Sequence, residues 1–196
     1  MNVTVESATK NPIELISQAA GMCYGKDDVR PSRVMTCVKN GHTSVIEHVS
    51  ATLRIEGISR ACLAQLTRHR IASFSVMSQR YCKIGGDDWY VMPPLDKDAD
   101  VEAFDDVLGI AMSTYKEAIA RGIKPEDARF LLPEATKTSL YMTINARSLQ
   151  NFLELRLAKS AQWEIRELAS KIEQALIDLG GEWADLMNIL SEVRNG

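Results

Sequence analysis

Three cationic or potentially cationic side chains stand in a row at Arg68-His69-Arg70, and the chain continues Ile71-Ala72-Ser73-Phe74-Ser75-Val76-Met77-Ser78-Gln79-Arg80-Tyr81. A guanidinium is a planar fork of N–H donors that grips phosphate or carboxylate oxygens two at a time. Consecutive side chains point in different directions, so Arg68 and Arg70 reach different partners. One use of such a pattern is two anionic ligands meeting at one turn. The other reading is a solvated basic loop, because arginines are common on surfaces.

The remaining candidates for chemistry are sparse. Ser78 sits in no G-x-S-x-G elbow, and no base with an orienting third group can be read beside it. It reads as a hydrogen-bonding residue rather than a nucleophile. Cys82 follows closely, but nothing near it in sequence lowers a thiol pKa. His48 enters a strand and His42 follows Gly41, so each can equally be structural. The four cysteines, Cys23, Cys37, Cys62 and Cys82, form no CxxC pair and no zinc spacing, so no metal site is expected. No glycine-rich dinucleotide fingerprint is present; a bound dinucleotide would be held by side chains and local amides.

The elements that must position these groups follow from periodicity. Val3 and Val5 alternate with polar neighbours as a short strand. Asn11-Pro12 caps and starts a helix with Ile13, Ile16 and Ala20 on one face, closed by Gly21. Ser32 caps a second helix, stopped by Asn40-Gly41. Ser44 and Glu47 have capping-box spacing. Val49, Ala51, Leu53 and Ile55 alternate as a strand ended by Gly57. Ser59 caps a helix carrying Cys62, Leu63 and Leu66, and that helix delivers the arginine loop. A long helix carries Val101, Phe104, Val107, Leu108, Ala111, Met112, Tyr115 and Ile119 up to Gly122. Leu140, Met142 and Ile144 alternate as a strand, and Ser148 caps the helix after it. Two more amphipathic helices hold Ile165, Leu168, Ile172 and Leu176, then Trp183, Leu186, Met187 and Leu190. Mixed strands and helices without βαβ alternation give an α+β fold with a small, mostly antiparallel sheet.

Composition sets the outer bounds. The 196 residues form one domain, 1–196, with enough length for a substantial core. The net charge of −3 argues against wholesale nucleic-acid coating. No apolar run approaches the ~20 residues of a membrane span, and Met1-Asn2-Val3-Thr4-Val5-Glu6 is no signal peptide. Scattered thiols fit a reducing cytoplasm.

Arg-His-Arg, seven residues, Ser78 and then Gln79-Arg80-Tyr81 resembles the signature of the flavin-dependent thymidylate synthases, the ThyX family. Gly41-His42-Thr43-Ser44-Val45-Ile46-Glu47-His48 resembles that family's N-terminal half. Ala128-Arg129-Phe130-Leu131-Leu132-Pro133, Thr143-Ile144-Asn145-Ala146-Arg147-Ser148-Leu149-Gln150-Asn151-Phe152-Leu153 and Leu155-Arg156 resemble its C-terminal half. The blocks stand in the family's order and span most of the chain.

The resemblance implies a homotetramer whose active sites draw on several subunits. It implies an FAD site of Arg68, His69, Arg70, Asn145, Arg147 and Asn151, with His48, Ser50 and the position of Val76 beside it. Gln65, Arg68, Ser78, Gln79, Arg80 and Arg129 would bind dUMP, the arginines mainly its phosphate. Arg156 would polarise the uracil, Ser78 would hydrogen-bond the substrate, and His48 would assist folate binding or proton transfer; these three are the catalytic candidates. The implied reaction converts dUMP to dTMP with 5,10-methylenetetrahydrofolate as carbon donor and NADPH recharging the flavin, and tetrahydrofolate leaves. For each arginine the competing reading is a surface salt bridge worth about 0–1 kcal/mol.

One departure stands out. Ser75-Val76 occupies the place where the family often has Asn-Glu, which removes a carboxylate beside an arginine cluster. Altered flavin affinity or oxygen reactivity is expected, not a different fold. It also motivates two alternatives: a non-catalytic pyrimidine-nucleotide-binding homologue, and an altered product such as a hydroxymethylated pyrimidine nucleotide. An RNA-binding use of Arg68–Arg80 is disfavoured by the acidic net charge.

Overall fold

The computed structural model describes residues 1–195. The chain begins with strand β1, Asn2–Ala8. Helix α1, Pro12–Met22, buries Ile13, Ile16 and Ala20 as the periodicity requires. Gly21 does not close it. The helix runs on to Met22, and a Cβ at position 21 would stand 2.5 Å from the Lys26 carbonyl oxygen and 2.7 Å from the Arg33 guanidinium. Gly21 is therefore a close-approach glycine. Helix α2, Pro31–Lys39, starts one residue before Ser32, with Arg30 in the capping position. Proline at the first helical position sets that start.

Thr43–His48 is a short 3-10 helix with no side-chain cap, so the Ser44–Glu47 capping box is not formed. Strand β2, Ser50–Ser59, follows. Gly57 does not end it. At φ 74 it makes a bulge against the partner strand, and pairing resumes at Ile58. The Ser59 side chain then accepts the Cys62 N–H (3.0 Å) and caps α3, Arg60–Leu66, as expected. Beyond it lies a strand the sequence reading missed: β3, Ala72–Val76, inside the expected loop. Its two-residue alternation, with Ala72, Phe74 and Val76 packed against the core and Ser73 and Ser75 exposed, was present in the sequence.

Helix α4, Asp98–Ala120, and the single turn α5, Pro125–Ala128, come next. Half of the expected apolar stripe on α4 is not core. Leu108, Met112 and Tyr115 pack with Trp89 and Ala128 in a separate small cluster, whereas Phe104 and Val107 are exposed. Strand β4, Lys137–Asn145, leads into α6, Ala146–Arg156. The cap of α6 is Asn145, whose Oδ1 accepts the Ser148 N–H at 2.8 Å; Ser148 is not the cap. The chain closes with α7, Trp163–Ile177, and α8, Gly181–Asn195. Gln162 caps α7, its side-chain oxygen accepting the Glu164 N–H at 3.0 Å.

The four strands form one antiparallel sheet in the order β1-β2-β4-β3. Leu53, Ile55, Leu140 and Met142 face the helices and are buried. The other face is polar, with a Thr52–Thr143 hydroxyl pair at 2.9 Å. The expectation of an α+β fold with a small antiparallel sheet is thus met. Among the described residues, no helix is long and apolar enough to cross a membrane.

One buried polar contact fixes the start of α3. Glu164 on α7 is 2% exposed; its carboxylate accepts the Ser59 N–H at 2.7 Å and the Ser59 hydroxyl at 2.5 Å. Truncation would leave both donors buried without a partner. Glu164→Ala is expected to cost about 2–3 kcal/mol, while Glu164→Gln, which keeps an acceptor of similar size, should lose less. Urea unfolding of the two variants checks this; equal midpoints for E164A and the parent would show that the contact does not hold the fold.

Candidate active site

Sheet register decides which functional side chains meet. Ala72 pairs with Ile144, so the turn before β3 lies beside the start of α6. Arg70 and Ile71 therefore meet Arg147, Ser148 and Asn151 around a cavity of about 310 Å³, with Glu47 of the 3-10 helix in its wall. Arg147 and Asn151 are four apart on α6 and share a face. Glu47, read from sequence as a helix cap, is a cavity residue instead.

His69 also lines this cavity, and its ring packs edge-on against Phe152 with centroids 5.0 Å apart. Arg156, at the end of α6, donates from Nε to His69 Nε2 at 3.0 Å and from Nη2 toward the Gln65 carbonyl at 3.4 Å. A guanidinium only donates, so Nε2 is the unprotonated nitrogen and Nδ1 carries the hydrogen. Burial first, and the Arg156 charge second, hold the His69 pKa below its ordinary value.

The far end of β3 carries the second group. The Met77 N–H continues the pairing to the Ser139 carbonyl (2.9 Å), and a turn follows in which the Tyr81 and Cys82 amides reach the Ser78 carbonyl. The Ser78 hydroxyl accepts the Arg80 N–H at 3.2 Å. Gln79 enters a cavity of about 280 Å³ with Arg60, Arg129, Phe130 and Glu134. Arg129 donates from Nε to the Glu126 carbonyl at 3.0 Å, whereas Arg80 is exposed and pairs with the Glu126 carboxylate at 3.1 Å. Five residues of strand, at about 3.4 Å each, separate the two ends by roughly 17 Å.

The other candidates lie outside these cavities. Arg68 is exposed beyond the end of α3, and Gln65 is half-buried on α3. His48 faces a groove with Leu15, Ala19 and Met22. Ser50 is exposed and its amide donates to the Thr9 hydroxyl. The Asn145 side chain is engaged as the α6 cap, and Val76 packs against the core. Cys62 is buried and its thiol is pushed up to about 12, by burial first and Glu164 second, which leaves it inert. Among the described residues, no group of three or more His, Cys, Asp or Glu could hold a metal ion.

The family model described as thymidylate synthase complementing protein matches residues 4–179. A flavin-dependent thymidylate synthase from Pyrococcus furiosus is 40% identical over 189 residues, covering 88% of this chain and 77% of that protein. One from Halobacterium salinarum is 34% identical over 230 residues, covering 93% and 92%. The crystal structure of Helicobacter pylori flavin-dependent thymidylate synthase, complexed with FAD and dUMP, superposes with a TM-score of 0.79 at 29% identity, covering 98% of this chain and 99% of that one.

The His69–Arg156 bond predicts a pH dependence. The unfolded chain takes up the His69 proton near pH 6.5, and the folded chain does so only at lower pH. The unfolded state thus binds more protons in that window, and stability falls as pH drops through it. His69→Gln offers an amide oxygen to Arg156 and does not titrate. Thermal melts between pH 7 and 5 should therefore show a component, on the order of 1 kcal/mol for one hydrogen bond, that H69Q lacks. Parallel pH curves for the two proteins would assign the loss to other groups.

Proposed function

We propose a function that takes its premise from the family: the chain belongs to the thymidylate synthase complementing proteins, the flavin-dependent thymidylate synthases, and it converts dUMP to dTMP by reductive methylation. The carbon comes from 5,10-methylenetetrahydrofolate and the reducing equivalents from NADPH through FAD; tetrahydrofolate is released. The observation that carries the reading is Arg156, a guanidinium held by a neutral imidazole at the edge of one arginine cavity and tied by Gln65 to the helix that starts at the other.

The residues present suit a flavin dinucleotide. Two guanidiniums and an amide surround the first cavity, the donor set that a pyrophosphate and a ring edge need. At about 310 Å³ the cavity sits at the low end of what one small ligand fills. One chain therefore receives part of a dinucleotide, which supports a homotetramer with shared sites. Arg68, His69, Arg70, Arg147 and Asn151 bind the cofactor, with Asn145, Ser50, His48 and Val76 contributing from the surrounding strands or from another copy. Reduced FAD, when bound, supplies the hydride.

The second cavity takes the nucleotide: Ser78, Gln79, Arg80 and Arg129 receive dUMP, the arginines at its phosphate. Arg80 is free to turn, because an exposed ion pair such as Arg80–Glu126 costs about 0–1 kcal/mol to break. Gln65 and Arg156 face the base. Arg156 stabilises negative charge developing on a uracil oxygen and leaves C6 more electrophilic, and His69 orients it. Ser78 hydrogen-bonds the substrate; its hydroxyl touches no histidine or carboxylate among the described residues, so it has no activating base. His48 assists folate binding or proton transfer across a subunit boundary. We read the whole chain as one catalytic domain working in the cytoplasm.

Loss of the carboxylate at position 76 leaves a second reading, a homologue that binds the nucleotide without forming dTMP or forms another product. Val76 has a packing role in the core, which makes the substitution a change of strand support as well as of charge.

Visible absorption of the purified protein with and without dUMP tests both readings. Flavin bands perturbed by dUMP, with dTMP formed on adding methylenetetrahydrofolate and NADPH, are expected. Flavin reduction without dTMP would select the second reading, and a protein that takes up no FAD, even with dUMP present, would overturn the first and leave a plain anion or nucleotide site. Arg156→Lys should lower kcat for dTMP formation roughly 10²-fold, by analogy with removal of one oxyanion donor, at little change in KM for dUMP.

A further inference from the structure

The cavity at the Ser78 end contains an arginine that the nucleotide site described above leaves out. Arg60 opens α3 and donates from Nη2 to the Met77 carbonyl at 3.1 Å. Its Nε is enclosed and has no hydrogen-bond partner among the described residues. A buried donor left unmade is costly, and each such group calls for an explanation. Arg60 faces Arg129 and Gln79 across the same cavity.

Electrostatics sharpen the point. Burial and the Arg129 charge both work against the charge on Arg60, and only Glu134 opposes them. Among the described residues, neither Arg60 nor Arg129 has a carboxylate within ion-pair distance. Arg33 pairs with Asp28 at 2.8 Å and Arg194 with Glu173 at 2.8 Å, whereas Arg60 and Arg129, like Arg147, Arg156 and Arg166, are half-buried with no carboxylate partner among the described residues. Two unpaired guanidiniums and an amide around one small cavity are the donor set for a dianion. Arg80, the residue the sequence points to, is exposed and already paired.

We propose that Arg60, together with Arg129 and Gln79, holds the 5′-phosphate of the nucleotide, the guanidinium edge that lines the cavity donating to a phosphate oxygen while its enclosed Nε stays behind it. The inference rests on the reading that dUMP binds at Gln79 and Arg129. It makes the phosphate the paired counter-charge that Arg60 and Arg129 lack, since Glu134 in the same wall offsets their charge without an ion pair. It also couples the ligand to the end of β3, since the same guanidinium holds the Met77 carbonyl.

Calorimetric titration of the FAD-loaded protein with dUMP and with deoxyuridine, which has no phosphate, tests it. Arg60→Gln and Arg60→Lys should weaken dUMP roughly tenfold to hundredfold, the range of one charge-assisted hydrogen bond, and leave deoxyuridine unchanged. Arg129→Gln should do the same. If R129Q loses dUMP selectively while both Arg60 variants bind it as the parent does, the role of Arg60 is overturned and the nucleotide site stands. If R129Q also binds dUMP normally, the nucleotide site itself is misplaced and the inference falls with it. Equal weakening of dUMP and deoxyuridine in the Arg60 variants would assign Arg60 a purely structural role and overturn the proposal. Should the variants fail to fold, ¹⁵N NMR of the unmodified protein decides: the Arg60 Nε–H signal should shift with dUMP and not with deoxyuridine.

Discussion

Antiparallel pairing of β2 with β4 is the constraint from which the site follows. The register runs from Ser50 opposite Asn145 to Ser59 opposite Lys137. Each strand ends in the cap of a helix, Ser59 for α3 and Asn145 for α6. Because the strands are antiparallel, the two caps stand at opposite ends of the sheet. The helices cannot begin side by side, and they meet only where α3 has run its length and released His69 toward Arg156. A one-residue slip would turn Leu53 and Met142 out of the core, and burial of that face therefore fixes the functional geometry as well.

Charge is distributed along the same axis. The whole chain carries a formal net charge of −3, yet the two cavities gather guanidiniums at either end of β3. Like charges held together in a half-buried place weaken the free protein. Anions that bind there relieve the repulsion, so the ligands stabilise the fold as they are recognised. Glu47 offsets part of the charge at the first cavity and Glu134 at the second. Neither forms an ion pair with its arginine, which leaves the forks open for ligand oxygens.

Much of this was legible in the residues, and the failures have physical reasons. Ile13, Ile16 and Ala20, or Ala51, Leu53 and Ile55, could be read because one face of each element is buried and the period is clean. Ser59 could be read as a cap because its hydroxyl serves the next turn of its own helix. β3 was missed because arginines flank a stretch of small residues, and its pairing with β4 spans a long sequence separation. The cap of α6 fell on Asn145 rather than Ser148 because both residue types cap well and only the end of β4 decides between them. Phe104 and Val107 kept helical spacing but remain exposed, since periodicity names a face and not its partner. Arg60 gave no signal at all. Its meaning lies in an enclosed Nε and a facing Arg129, and neither is a property of local sequence.

Helix α3 then becomes the element through which the two cavities are held in relation. Its first turn is pinned by the buried Glu164–Ser59 contact and carries Arg60 into the Gln79–Arg129 cavity. Its last turn presents the Gln65 carbonyl to Arg156, whose Nε is held in turn by His69 in the wall of the Arg70–Arg147 cavity. A seven-residue helix fixed at both ends has little freedom to tilt. Val76 adds apolar contact at the end of β3, next to the Met77 carbonyl that Arg60 holds. Packing rather than charge thus supports that end of the strand, while the span between the cavities is set by the sheet.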